Sequence, residues 1–207
     1  MRKFGNTGME IKRVGFGGIP IQRISQEDTN KVIDELEKCG VNFIDTARGY
    51  TISEEYLGNA LKGRREKFYI ATKSMSRDYE SMKRDIEISL KNLQTDYIDL
   101  YQMHNVKPAE YDTIFGEDRA YRALLEAKEA GKIKHIGITS HGLETVEKAV
   151  ESGKFETIQF PYNIVENQAD EVFKKAHEKG VGTIVMKPLA GGAIDDGTLA
   201  MKYLLSR

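Results

Sequence analysis

Short apolar, β-branched runs alternate along this chain with longer segments whose apolar residues recur at helical spacing. The first run is Val14-Gly-Phe-Gly-Gly. Ser25-Gln-Glu-Asp then opens a helix, with Ser25 as N-cap and Asp28 where a capping box usually places Glu or Gln. Val32, Ile33 and Leu36 form its apolar face, and Gly40 suits its C-terminal cap. The second run, Asn42-Phe-Ile-Asp-Thr, ends in a polar loop. A short helix from Glu54 to Leu61 follows and stops at Gly63. Phe68 to Lys73 is the third run, followed by a helix over Tyr79 to Leu93. There Met82, Ile86 and Leu90 are spaced four apart and share one face. Tyr97 to His104 is the fourth run, with Tyr97 and Tyr101 expected to pack. A longer loop with Pro108 then leads to a helix over Tyr121 to Ala130, closed by Gly131. The fifth run, Ile133 to Ser140, precedes a helix over Leu143 to Val150. The sixth, Thr157 to Phe160, precedes one over Ala169 to His177, closed by Gly180. The seventh, Thr183 to Lys187, ends at Pro188, and a last helical piece covers Leu199 to Leu205.

This pattern predicts seven β→α units in a single domain over residues 1–207, at roughly the ~30-residue spacing of a βαβ repeat. Strict alternation demands a parallel sheet covered by helices. An open doubly wound sheet and a (β/α)8 barrel both satisfy it. The segment after the first run, Gly15-Phe-Gly17-Gly18, is not a full G-x-G-x-x-G, so a Rossmann fingerprint is not supported. Residues 2–12 turn at Gly5-Asn-Thr-Gly8 and read as a small hairpin that could plug one end of a barrel.

Charge and composition narrow the partners. Lys and Arg number 31 against 32 Asp and Glu, a net charge of −1. That balance gives no broad field for nucleic acid or an acidic membrane. The single cysteine, Cys39, cannot form an intrachain disulfide or a Cys-ligated zinc or iron–sulfur site. No stretch approaches the ~20 apolar residues that cross a bilayer, and no signal-peptide core follows Met1. A cytoplasmic protein without membrane or nucleic-acid partners is therefore expected.

In a parallel barrel, chemistry gathers at the C-terminal ends of the strands. Those positions hold Asp45, Lys73, His104, Ser140, His141 and Lys187, with Tyr50 in the loop after Asp45 and Gln159 within the sixth strand. Asp45, Tyr50, Lys73 and His104 suit an acid catalyst. A free phenol, titrating near about 10, is a weak acid at neutral pH. A neighbouring Lys73 cation would stabilise its phenolate, and Asp45 would be the counter-ion that a buried lysine needs. His104 would orient a substrate oxygen. The set fits proton donation to a carbonyl while a hydride reaches its carbon. None of the four can supply the hydride, so a cofactor must. His135 and His177 are expected to be structural or exposed. Gly17 and Gly18 suit close packing as well as cofactor approach.

At these residues the sequence resembles the aldo-keto reductases. The matching segments are Gly15-Phe-Gly-Gly, Phe43 to Tyr50, Glu55 to Leu61, Ile70 to Lys73, Asp96 to His104, Gly131 to Ser140, Gln159 to Asn163 and Met186 to Gly192, in the family's order. The resemblance implies a (β/α)8 barrel and carbonyl reduction with NADP(H) or NAD(H). Tyr50 would be the proton donor, tuned by Lys73 and Asp45, with His104 orienting the carbonyl. Ser140 and Gln159 match positions that hold the nicotinamide carboxamide. Pro188, Leu189 and Gly191 match the loop that passes the pyrophosphate. Gly18, His141 and Lys187 complete the expected cofactor contacts. Three departures stand out. His141 replaces the usual Asn, and Met186-Lys187 fill a region that often carries a stacking aromatic. The eighth strand and helix, whose basic residues grip a 2′-phosphate, have no counterpart in the 207 residues. A TIM barrel typically takes ~250 residues, so an incomplete barrel, truncated before the eighth strand, is expected.

Other functions compete with this one. A fragment or non-catalytic subunit could keep the fold without turnover, and open strand edges would then favour self-association. A lyase could form a Schiff base on Lys73 or Lys187. A metal-dependent hydrolase could use Asp45, His104 and His141, although no ligand motif supports it. The expected substrate is a small carbonyl compound, and Tyr111 to Asp118 is the one longer loop that could select it.

Overall fold

The computed structural model describes residues 1–207. Strands β1 (Arg2–Lys3) and β2 (Glu10–Ile11) form the expected antiparallel hairpin, with Arg2 opposite Ile11. Seven further strands form one parallel sheet: β3 (Phe16–Gly17), β4 (Phe43–Asp45), β5 (Tyr69–Ser74), β6 (Ile98–Met103), β7 (Ile133–Thr139), β8 (Thr157–Pro161) and β9 (Gly182–Met186). Each strand pairs only with its sequence neighbours, in the order β3 to β9. A doubly wound sheet would reverse direction at a switch point. The unbroken order resolves the choice in favour of seven strands of a (β/α)8-type barrel.

The helices are α1 (Gln26–Lys38), α2 (Ser53–Ala60), α3 (Tyr79–Leu93), α4 (Ala120–Glu129), α5 (Leu143–Ser152), α6 (Asp170–Glu178) and α7 (Gly197–Leu205). Their ends follow local chemistry. Ser25 caps α1 by accepting from the Asp28 amide at 3.0 Å, and Gly40 lies just past its end at φ +67°. Two features were not evident from the pattern. Asp78 caps α3 through the Ser81 amide. The supposed substrate loop is largely a 3-10 helix over Pro108–Phe115, with Tyr111 and Ile114 buried. Its aromatic residues pack on Tyr121 and Phe155, so much of this segment is core.

The core has two parts. The larger lies between sheet and helices and includes Ile33, Leu57, Met82, Ile86, Leu124, Val146 and Ala176. The smaller joins Phe4 and Met9 of the hairpin to Phe43, Ala71 and Leu100, near the start of the strands. Phe4 meets Phe43 edge to face at 5.6 Å. A Cβ on Gly182 would lie 2.7 Å from the Phe4 ring, and one on Gly5 would lie 2.5 Å from the Gly180 carbonyl. The hairpin therefore seats where only glycine leaves room, and it plugs the end of the barrel opposite the chemistry. Tyr101 is fully buried, and Cys39 is exposed. No helix is long and apolar enough to cross a membrane.

Candidate active site

The strand register brings the predicted acid group together. Asp45 is the last residue of β4, while Lys73 lies near the end of β5. Lys73 is 2% exposed, and its Nζ donates to Asp45 Oδ2 at 2.6 Å and to the Thr46 carbonyl at 2.7 Å. Burying an ammonium is costly unless it is paired and hydrogen-bonded, and both conditions are met here. Two amides complete the carboxylate's shell. Gln102 Nε2 donates to Asp45 Oδ1 at 3.0 Å, and Gln159 Nε2 donates to Oδ2 at 3.3 Å. Gln102 was not among the residues predicted from sequence. Its signal was its spacing: two residues before His104 on an extended segment, it faces the same side.

Tyr50 is half-buried in the loop between β4 and α2. Lys73 Nζ lies 5.0 Å from the centre of its ring, and the His104 ring stands perpendicular to it at 6.1 Å. The backbone on both sides is constrained. Thr51 has φ +42° and Asn105 has φ +51°, left-handed values uncommon for non-glycine residues. The His104 amide donates to the Ser74 carbonyl at 2.8 Å. Arg77 Nη2 donates to the carbonyls of His104 (2.8 Å) and Asn105 (3.2 Å). Four chain segments thus converge on one point at the C-terminal end of the sheet.

Burial, reinforced by the Lys73 charge, pulls the His104 pKa down from its ordinary 6.5 to about 4. The imidazole is therefore neutral at neutral pH. As pH falls from 6.5 toward about 4, the unfolded chain takes up a proton at His104 that the folded chain refuses. Stability must decline across that window. In His104→Gln, the urea midpoint should depend less steeply on pH between those limits. An unchanged slope would remove His104 as the cause.

The expected cofactor residues spread over the same end of the sheet. The Ser140 hydroxyl is committed within the chain, donating to the Val106 carbonyl at 2.6 Å and accepting from the Gly142 amide at 2.9 Å. Gln159 Oε1 is buried and has no partner, so a free acceptor remains beside Asp45. Gly18 is buried: its amide donates to the Asp45 carbonyl at 2.7 Å, and a Cβ there would meet Ser53 Oγ at 3.0 Å. Close packing alone accounts for glycine at that position. Beyond β9 the backbone bends through Lys187 (φ +56°), Ala190 (φ +48°), Gly191 (φ +70°) and Gly192 (φ +102°). Asn163 Nδ2 holds the start of this bend by donating to the Lys187 carbonyl at 3.1 Å. A side chain on Gly191 or Gly192 would meet nothing within 4 Å, so the bend borders open space. The Lys187 side chain and Leu189 are exposed, Pro188 is half-buried, and His141 is exposed close enough to Lys187 to feel its charge. No group of three or more His, Cys, Asp or Glu residues is arranged to hold a metal ion.

Comparison with known proteins agrees with this geometry. The model of the Aldo/keto reductase family matches residues 13–204. The chain is 31% identical to L-galactose dehydrogenase of Arabidopsis thaliana, over 95% of its own length and 67% of that protein's. It is 30% identical to aldo-keto reductase YhdN of Bacillus subtilis, over 96% of the chain and 64% of the relative. The chain thus spans about two thirds of these curated relatives. The crystal structure of PA4992, a putative aldo-keto reductase from Pseudomonas aeruginosa, superposes with a TM-score of 0.88 at 26% identity, covering 99% of this chain and 83% of that one. With the ordered motifs, the parallel strand order and a family match over nearly its whole length, this chain belongs to the aldo/keto reductase family.

Proposed function

We propose that this chain reduces an aldehyde or ketone to an alcohol, using hydride from a bound nicotinamide dinucleotide and a proton from Tyr50. One observation carries the reading. A buried Lys73 ammonium is clamped by Asp45 at 2.6 Å and held 5.0 Å from the Tyr50 ring, with the His104 ring 6.1 Å away on a perpendicular face. This arrangement serves one purpose well, which is to stabilise the phenolate that remains after Tyr50 gives up its proton. The neutral His104 imidazole offers an N–H that can fix the substrate oxygen beside the Tyr50 hydroxyl. Developing negative charge on that oxygen then meets a donor, an acid and a nearby cation.

The residues present fit a nicotinamide. The unpartnered Gln159 Oε1 suits a carboxamide N–H, and the left-handed bend over Ala190 to Gly192 leaves room for a pyrophosphate to approach the backbone. Lys187, Pro188, Leu189, His141 and Ser140 border the same region. When bound, the dinucleotide supplies the hydride that no side chain here can. These contacts involve the nicotinamide and pyrophosphate that NADPH and NADH share.

The geometry favours reduction over a Schiff-base lyase. A lysine nucleophile must be a free amine, whereas Lys73 is paired with a carboxylate at 2.6 Å, and Lys187 is exposed. The test is oxidation of NADPH or NADH by the purified chain with a generic aldehyde. Aldehyde-dependent oxidation of either is the expected result. Absence of turnover with both, at cofactor concentrations shown to saturate binding, would overturn the reading.

A further inference from the structure

Glu54 is 1% exposed and unused by the proposed reaction. It lies in the first turn of α2, and four donors saturate its carboxylate. Thr72 Oγ1 (2.8 Å) and Ser89 Oγ (2.7 Å) donate to Oε1. Arg48 Nη1 (2.9 Å) and Asn92 Nδ2 (3.3 Å) donate to Oε2. Arg48 also faces a second carboxylate: its Nε lies 3.8 Å from Asp85 Oδ1, a charge contact too long for a hydrogen bond, and Nε itself has no hydrogen-bond partner. Asp85 in turn accepts from Ser76 and from Ser74, the last residue of β5.

This ionic cluster grips both segments that carry the acid pair. Thr72 immediately precedes Lys73 on β5. The Arg48 amide donates to the Lys73 carbonyl at 2.9 Å, and Arg48 stands two residues before Tyr50. No strand or helix holds residues 46–52, and the chain passes Thr51 at φ +42° before α2 begins. To the backbone bonds from Thr46 to Ala71 and from Arg48 to Lys73, the Arg48 side chain adds a tie that runs through Glu54 to Thr72 on β5. A buried ion pair of this kind is weak evidence for stability, since well-packed apolar groups often do as well. What apolar groups could not supply is direction. Here the charge-assisted bond from Arg48 Nη1 to Glu54 Oε2 at 2.9 Å supplies it.

We propose that Arg48 and Glu54 are positioning residues for proton transfer, registering Tyr50 against Lys73 without touching substrate or cofactor. The inference rests on the function proposed above. A misplacement of about 1 Å can cost about 100-fold in rate. In the full chain, Arg48→Met should lower kcat for aldehyde reduction by about that factor, with KM and dinucleotide affinity unchanged. Arg48→Lys should recover part of the loss. A second readout needs no turnover. In protein labelled with 13C at tyrosine Cζ, the Tyr50 resonance is identified by its loss in Tyr50→Phe. It should move in Arg48→Met. If Arg48→Met does not fold, Glu54→Gln replaces it, because the Gln Oε1 still accepts from Thr72 and Ser89. A folded variant with unchanged kcat and an unmoved Tyr50 resonance overturns the inference. If the wild-type chain shows no turnover, the proposed function fails, and the resonance alone decides whether Arg48 positions Tyr50.

Discussion

Tyr50→Phe should lose aldehyde reduction by about 10²- to 10⁴-fold in kcat, the range general acid catalysis supplies, while binding the dinucleotide as tightly as the wild type. The substitution removes one oxygen and leaves the ring. The phenyl ring that remains would still present its edge or face to His104 and lie near the Lys73 ammonium, so the packing that places the loop survives. Only the proton is lost. Its absence appears in the chemical step, because hydride delivery to a carbonyl carbon leaves an alkoxide that must be protonated or held. Steady-state rates with a generic aldehyde, alongside a direct nucleotide titration, separate the two effects. Undiminished kcat in a variant that binds dinucleotide normally would remove Tyr50 from its role and place the acid elsewhere.

Lys73→Met should damage stability as well as activity. The ammonium is 2% exposed and is the partner of Asp45, which otherwise keeps only the amide donors Gln102 and Gln159. Removing one member of a buried ion pair typically costs roughly 3–5 kcal/mol, because the other charge is stranded. Activity should fall with it, since the cation beside Tyr50 is gone. Asp45→Asn together with Lys73→Met removes both charges at nearly constant shape. That double variant should recover most of the lost stability in urea denaturation but none of the activity. If the single Lys73→Met variant is as stable as the wild type, Asp45 does not depend on this lysine. If the double variant reduces aldehydes normally, the cation has no part in the chemistry.

Asp45, Lys73 and His104 stand out in the sequence as candidates because polar and ionisable residues recur where successive strands end. Tyr50 was legible through its spacing from Asp45 and the family resemblance. The partner set of Asp45 was not legible. Gln102 and Gln159 come from strands that are 57 and 114 residues removed from Asp45, and only the barrel's curvature brings their amides onto one carboxylate. Glu54 is a similar case. In sequence it is an ordinary acidic residue in a helix's first turn, a favourable position on electrostatic grounds alone. Its burial follows from the packing of α2 against β5 and α3, which deliver Thr72, Ser89 and Asn92 to it. Within the expected loop from Tyr111 to Asp118, the part through Phe115 is a 3-10 helix, which has no long apolar periodicity to announce it. Its aromatic anchors are met by partners far along the chain.

By itself, the sequence determined the order and type of the β→α units, the family and the candidate residues for acid chemistry. These depend on local patterning and on side-chain type, both of which are written residue by residue. The tertiary structure alone decided that the sheet follows barrel order, that the hairpin seats against Phe43 and Gly182, that burial lowers the His104 pKa, and that Arg48 meets Glu54. Each of these is a property of distance and burial between segments remote in the chain. Solvent exclusion and electrostatic strength depend on those distances steeply enough that the same residues, differently packed, would have different chemistry.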